Sequence, residues 1–435
     1  MAHSTDTASG RQSPPLLPAL ADEHLKATRR WFLRALLSGC AAPGLLPELQ
    51  ADDQKDALAA AIEKELGFYL TKSEDFRNVE RHKPLPYKLP REDRLRHGLE
   101  RETWQLEVTA DPESDSRLRS PLSKADGTAL DFAALMKIAE TRAVRYLKVM
   151  TCNNLADPLG MGLWEGVPLR EVIWLAKPEN NVRRLYYRGY HNDDPKQIFQ
   201  SSLPIGRVLE DPPGEQPVIL CYKMNGQPLT GERGGPVRMI VPNAYGFKSV
   251  KWIREIFLTN NHHNNDTYAK ANNDVDSAMK SYARFIPWPK DGREFKAGDP
   301  LAITGVAQSG MSGLTKVQTW LKPKDDPLPG DGPYFATAPW RDAEILPPPP
   351  PDGPWGERLE KLPPGTARFD SNGVPLDWPL RNSIAHWASL LPAVAAGEYE
   401  LRCRTVDRNG IAQPMPRPFK KSGGNAIQSV TLTVG

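Results

Sequence analysis

Apolar positions along the chain fall mostly into short alternating runs, the mark of half-buried strands. Trp104-Gln105-Leu106-Glu107-Val108 reads this way; Val144 to Met150, with mixed faces, Val182 to Tyr187 and the apolar run Val218 to Met224 read as further strands, and Asn225-Gly226 closes the last with a tight turn. Met239-Ile240-Val241-Pro242 is a further short strand. Beyond residue 285 the alternation is cleaner, at Leu301 to Val306, Lys316 to Leu321, Tyr399 to Thr405 and Val430 to Val434. Helical spacing is confined to three places: Asp52 to Leu70 (through Leu58, Ala61, Ile62 and Leu66), Leu130 to Ala139 behind an Asp131 N-cap, and a helix start at Gly166 to Trp174 with Pro168 in its first turn. The pattern predicts an α+β chain, with a mixed α/β domain over residues 52–285 and an all-β antiparallel sandwich over 286–435. The proline run Pro347 to Pro351 and the residues to Gly373 read as an insertion, about 341–376, forming an extended surface loop.

The stretch RYLKVMTCNNLADPLGMGLWEGVPLREVIW, Arg145 to Trp174, organises the first domain. It begins as a strand, delivers Cys152 at the strand's end and passes into a polar, glycine-bearing loop. A thiol placed there is held rigidly and can face a pocket, as a single thiolate ligand to a soft metal requires. The bland alternative is a small buried hydrophobe. Cys221 and Cys403 sit on strands and read as core. Arg233 and Arg238 flank glycines at a strand entrance, a pattern suited to a phosphate or a polar ring edge and equally to a plain surface turn. Tyr245 to Trp252 collects backbone amides, Ser249, Lys248 and Lys251, which can cradle a phosphate. His82, between Arg81 and Lys83, reads as a solvated loop histidine, and His262-His263 as part of a polar loop.

Composition narrows the function. A net charge of +3 with 25% charged residues leaves no polyanion footprint, so nucleic acid is not expected as a partner. Four cysteines, Cys40, Cys152, Cys221 and Cys403, show no CxxC spacing, which argues against a disulfide scaffold and against local zinc or iron–sulfur sites. The 43 prolines gather in loops and tails. Residues 1–51 are expected to be a disordered N-terminus carrying an export signal: Arg29-Arg30 stands before the short apolar run ALLSGCAAPGLLP, in the manner of a twin-arginine signal for folded proteins. Leu37-Ser38-Gly39-Cys40 resembles a lipoprotein cleavage box, and membrane anchoring would follow only if Cys40 is lipidated. A periplasmic or extracytoplasmic location is the expectation. No later run approaches about 18 apolar residues, so no span is expected. The tryptophans of the last third suit sandwich core and interface better than carbohydrate binding.

WEGVPLREV (Trp164 to Val172), MNGQPLTGERGGPVRMIVP (Met224 to Pro242) and YGFKSVKWI (Tyr245 to Ile253), in this order, resemble the sulfite oxidase family of molybdopterin enzymes from about Trp104 to the C-terminus. The resemblance implies a molybdopterin-binding domain followed by an immunoglobulin-like dimerisation domain, the latter through GVAQSGMSGLTKVQTWL and RTVDRNGIAQP. It implies that Cys152 ligates molybdenum beside the pterin. It also implies that Arg238, Ser249, Val250 and Lys251 bind the pterin and its phosphate, with Arg233 at a position often held by histidine. His82 falls on the cofactor-binding histidine of an N-terminal segment, and Tyr268 about where the family keeps an active-site tyrosine. Two departures concern the substrate. Glu80-Arg81-His82 stands where an arginine would precede Asn-His, and Asn153, Asn154, Leu155, Ala156 and Asp157 stand where a second arginine follows the cysteine. One charge about 4 Å away is worth ~4 kcal/mol at an effective dielectric of ~20, so such losses matter; Arg81 can compensate by reaching inward.

The implied function is two-electron oxo transfer on a small molecule, with sulfite oxidation as default and reduction of a sulfoxide such as methionine sulfoxide as the alternative. A non-catalytic relative that binds a partner through the sandwich is a reading of another class. With no CxxCH motif and no recognisable haem domain, no haem is expected, and electrons would pass through a separate electron-transfer protein, cytochrome- or quinone-linked.

Overall fold

A computed structural model describes residues 58, 60–62, 65–79, 81, 83–155, 157–263, 267, 275–285, 288, 292–414 and 423–435. The expected disordered and exported N-terminus, with Arg29, Arg30 and Cys40, lies outside these residues, as do His82 and Tyr268. Most regular structure is β, and the helices are short. Phe132–Arg142 follows its N-cap Asp131, whose carboxylate accepts from Ala134 N at 2.7 Å. The helix expected through Leu70 ends sooner. Residues 58, 60–62 and 65 are helical, and Leu66, Tyr69 and Leu70 are not. Tyr69 and Leu70 instead pack in a core with Leu147, Met161 and Trp355, and Leu70 N donates to Trp355 O.

A mixed five-stranded sheet has the order Leu130–Asp131, Gln105–Ala110, Ile253–Thr259, Arg184–Gly189, Gln200–Pro204. Gln105–Ala110 runs parallel to Ile253–Thr259, and the other neighbours are antiparallel. A second sheet, antiparallel throughout, places Val144–Thr151 beside Pro158–Pro168, then Ile219–Met224 and Gln227–Pro228, with Arg238–Ile240 on the far side of Ile219–Met224.

Two expectations are corrected here. The glycine-bearing loop after Cys152 is a loop only to residue 157; Pro158–Pro168 is a central strand. Its glycines mark close approaches rather than turns: a Cβ on Gly162 would stand 3.1 Å from the Trp164 ring, and one on Gly166 would collide with Leu220 O. Pro168 accordingly ends that strand and caps the helix Leu169–Leu175 instead of lying in its first turn.

The C-terminal half forms an eight-stranded sheet in the order Tyr282–Phe285, Leu301–Gln308, Ile384–Leu391, Arg341–Ile345, Lys316–Pro323, Gly397–Val406, Gln428–Val434, Arg293–Phe295. Arg341–Ile345 pairs with Lys316–Pro323 through residues 341–343 and with Ile384–Leu391 through 344–345. The sheet thus bends back on itself, and its two apolar faces meet around Ile303, Val317, Trp387, Leu401 and Leu432. Tyr282–Phe285 precedes the expected boundary at 285/286 yet pairs with Leu301–Gln308, so this sheet begins at Tyr282.

The proline-rich insertion is not an extended surface loop. Trp355 is fully buried against Tyr69, Phe369 and Trp378, and Ala367 N donates to Arg145 O at 2.8 Å, joining the insertion to the strand that carries the cysteine.

Candidate functional site

An open cleft with about 1040 Å³ of empty space gathers residues far apart in the chain. Cys152, Arg81, Arg233, Arg238, Ser249, Val250 and Lys251 all line it. Cys152 stands one residue beyond Val144–Thr151 as a free, partly exposed thiol, whereas Cys221 and Cys403 are buried. Burial pushes the Cys221 thiol up to about 12, which leaves it inert.

Arg233 ends the short 3₁₀ turn Gly231–Arg233, closed by Thr230 Oγ1 accepting from Arg233 N. Gly234 follows at φ +94°, and a Cβ there would stand 2.7 Å from Lys251 Cβ, so only glycine lets the two cation-bearing segments touch. The Arg233 guanidinium is buried over the Phe76 ring at 5.6 Å, with the rim carboxylate of Glu232 3.4 Å away. Arg238 opens its strand opposite Cys221 and donates to Arg233 O at 2.8 Å and Ser249 O at 2.7 Å. Burial, and then the neighbouring Arg233 charge, bring its guanidinium down to about 10 despite an opposing influence of Cys221. The Nε atoms of Arg233 and Arg238 are buried with no hydrogen-bond partner among the described residues.

Lys251 Nζ donates to Glu232 O at 2.8 Å and Asn78 Oδ1 at 3.2 Å. Trp252 beside it holds φ +51°, an uncommon backbone state for a bulky residue, fixed by its indole N–H donating to Gly231 O at 2.8 Å. The anticipated phosphate nest is only partly formed. Lys248 turns inward, buried, to donate to Ser202 O at 2.9 Å, and Ser249 Oγ accepts from Val241 N at 3.1 Å. Lys251 is therefore the lysine of this loop that faces the cleft.

Among the lining residues that had not been singled out are Asn78, His191 and Phe199. Arg81 stacks its guanidinium 4.8 Å above Phe199, and His191 stands edge-on to Phe199 and to Trp252, each at 5.8 Å. His262 and His263 lie exposed with rings 4.5 Å apart and do not line the cleft. No group of three or more His, Cys, Asp or Glu side chains suited to a metal ion occurs among the described residues. A metal here would need ligands beyond the protein's own.

Two buried guanidiniums with a single carboxylate at the rim are costly, several kcal/mol per ion even after relaxation. A multiply charged anion with free acceptors would offset that cost and satisfy the two Nε atoms. A free thiol beside this cradle gives a donor set compatible with a phosphate-bearing group that carries a soft metal. Residues 95–267 match the family described as oxidoreductase molybdopterin binding domain. Over 233 residues the chain is 25% identical to mitochondrial sulfite oxidase of Homo sapiens, covering 49% of this chain and 42% of that protein. Over 104 residues it is 32% identical to the NADPH nitrate reductase of Beauveria bassiana, covering 24% and 11%. The crystal structure of the sulfane dehydrogenase SoxCD from Paracoccus pantotrophus shares the fold, with a TM-score of 0.52, 18% identity and 76% of each chain covered. Residues 95–267 thus match a molybdopterin-binding oxidoreductase domain, and the chain is similar to sulfite oxidases over part of their length. Its matches span less than half the length of these sequence relatives.

Proposed function

We propose that this protein is a molybdenum-cofactor oxidoreductase performing two-electron oxo transfer on a small substrate, sulfite dehydrogenase-like in its default direction. The observation that carries the reading is one cleft in which the free Cys152 thiol shares walls with Arg233, Arg238 and Lys251. Cys152, as thiolate, would hold the metal, and the two arginines with Lys251 would hold the anionic tail of the pterin. When bound, the cofactor supplies the exchange of an oxygen atom and two electrons with the substrate. The chain's own residues bind and orient. Phe76, Leu159 and Phe199 give the cleft apolar walls that exclude water, and Arg81 over Phe199 offers a cation to an anionic substrate. Assay of the molybdenum-loaded protein with sulfite and an artificial electron acceptor tests the reading, and no turnover with sulfite would reject the default direction.

A second reading, reduction of a sulfoxide, is favoured by Asn153 and Asn154, which line the cleft just after the thiol and present amides without charge. Methionine sulfoxide with an artificial electron donor tests it. We also propose that electrons reach or leave the site through a separate electron-transfer protein, that the C-terminal half is an immunoglobulin-like dimerisation domain, and that the chain is exported through its arginine pair to an extracytoplasmic location. His82 and Tyr268 are proposed as cofactor and active-site residues on the resemblance alone. The mass of the mature N-terminus and the solution mass of the purified protein check export, Cys40 lipidation and dimerisation.

A further inference from the structure

The backbone ladder that carries Cys152 to the cleft gives out before it gets there. Val144–Thr151 pairs regularly with Pro158–Pro168 as far as Met150, opposite Gly160, and then the register shifts, so that Thr151 faces Pro158. Proline has no N–H to donate, so the sheet constrains the chain weakly at the residue next to the thiol. After Cys152 comes a turn closed by Leu155 N donating to Cys152 O at 3.3 Å. Neither side of the thiol is clamped by its own sheet.

The clamp comes from the C-terminal sheet. Thr151, buried, donates its hydroxyl to Gln308 Oε1, and Gln308, at the end of Leu301–Gln308 and fully buried, donates from Nε2 to Lys280 O at 2.8 Å. Two residues earlier, Val149 N donates to Asn382 O at 2.8 Å, and Asn382 N to Ser309 O at 2.9 Å, so the chain beside Gln308 grips the same strand. Beyond the thiol, Asp157 lies 3.7 Å from Arg284 of the same C-terminal sheet, but its side chain is 62% exposed, and an ion pair so wetted contributes little. The buried amide–hydroxyl contact dominates, because breaking it strands a polar atom away from water.

We propose that Gln308 is a positioning residue for the metal-holding thiol, acting through Thr151. Its amide fixes the last residue of the strand, and with it the direction in which Cys152 Sγ enters the cleft. The inference rests on the reading of Cys152 as the thiolate ligand, and its test keeps the two apart.

In metal-free full-length protein, the alkylation rate of Cys152 by iodoacetamide is followed by peptide mass, with Cys221 and Cys403, both fully buried, as internal controls. Gln308→Leu and Thr151→Val should each change the Cys152 rate by the same factor, and in molybdenum-loaded protein each should lower metal content by about tenfold, as removal of an outer partner of a metal ligand does. The double variant should match the singles, Thr151→Ser should restore the native rate, and the control cysteines should stay unreactive. In molybdenum-loaded protein, the same substitutions should shift the visible sulfur-to-metal absorption. Unchanged Cys152 rates in both variants, additive effects in the double variant, or equal exposure of Cys221 and Cys403 would each overturn the proposal. Molybdenum retained by Cys152→Ser would instead overturn the ligand reading, while the alkylation rates still report on the tether.

Discussion

Arg238 faces the cleft and holds it together, with its two terminal nitrogens on the carbonyls of Arg233 and Ser249 and its Nε without a partner among the described residues. Lysine cannot reproduce that fork. Arg238→Lys should therefore lower the molybdenum content of purified protein by about tenfold, while Arg77→Lys, at a half-exposed rim position, should leave it unchanged; metal analysis of the two decides. Cys152→Ser should abolish metal retention and turnover with the unfolding midpoint preserved, and full activity in that variant would remove the thiol from the ligand role. Lys148, fully buried on the cysteine strand, donates to Val149 O and Ala244 O. Burial first, then Arg238, bring its ammonium down from 10.5 to about 7, against a weaker pull from Glu215. Between those two values the unfolded chain holds a proton that the folded chain has given up. This group consequently makes stability rise with pH through that window and lie flat, at its lowest, below about 7. Lys148→Met should flatten the climb of the melting temperature from pH 7 upward, and a variant that keeps the native slope would show that the climb belongs to other groups.

Elements reach the cleft through positions where a side chain would be in the way. Gly189 ends Arg184–Gly189 against Lys251, and a Cβ there would collide with Lys251 O and stand 2.9 Å from Val250 Cγ1. Gly189→Ala should cost about 1–3 kcal/mol by overpacking and loosen the cofactor, checked by thermal unfolding and molybdenum content together. Such glycines explain what was legible in the sequence and what was not. Alternation located Gln105–Ala110 and most of the C-terminal strands, because side chains on a half-buried sheet obey a period of two, and a short apolar run closed by Asn225-Gly226 located Ile219–Met224. Pro158–Pro168 escaped, because Gly160, Gly162 and Gly166 imitate a loop while admitting neighbours from both sides. Cys152, Arg233, Arg238 and Lys251 could be picked out because motif and charge marked them. Asn78, His191 and Phe199 could not, since each lies in an unremarkable polar or extended segment and gains meaning only from what folds against it. Lys248, read as a phosphate ligand by its spacing, is turned away by a nearer acceptor, Ser202 O.

At the scale of the molecule, the halves are bound by more than adjacency. Trp355 of the insertion, 1% exposed, packs with Tyr69 and the cysteine-bearing sheet, and Thr366 bridges to Arg145. Trp355→Ala should remove about 3–5 kcal/mol and lower a single unfolding transition; two separated transitions in the native protein would show that the halves melt independently. The cleft itself draws on Asn78, Cys152, His191 and Lys251, and the thiol's neighbour Thr151 leans on Gln308. A pocket whose walls run from Phe76 to Trp252 cannot exist on a nascent polypeptide until that much has been made, and the tether on the residue beside its thiol waits longer still, for Gln308. The cleft therefore precedes, in the order of synthesis, the contact that steadies it.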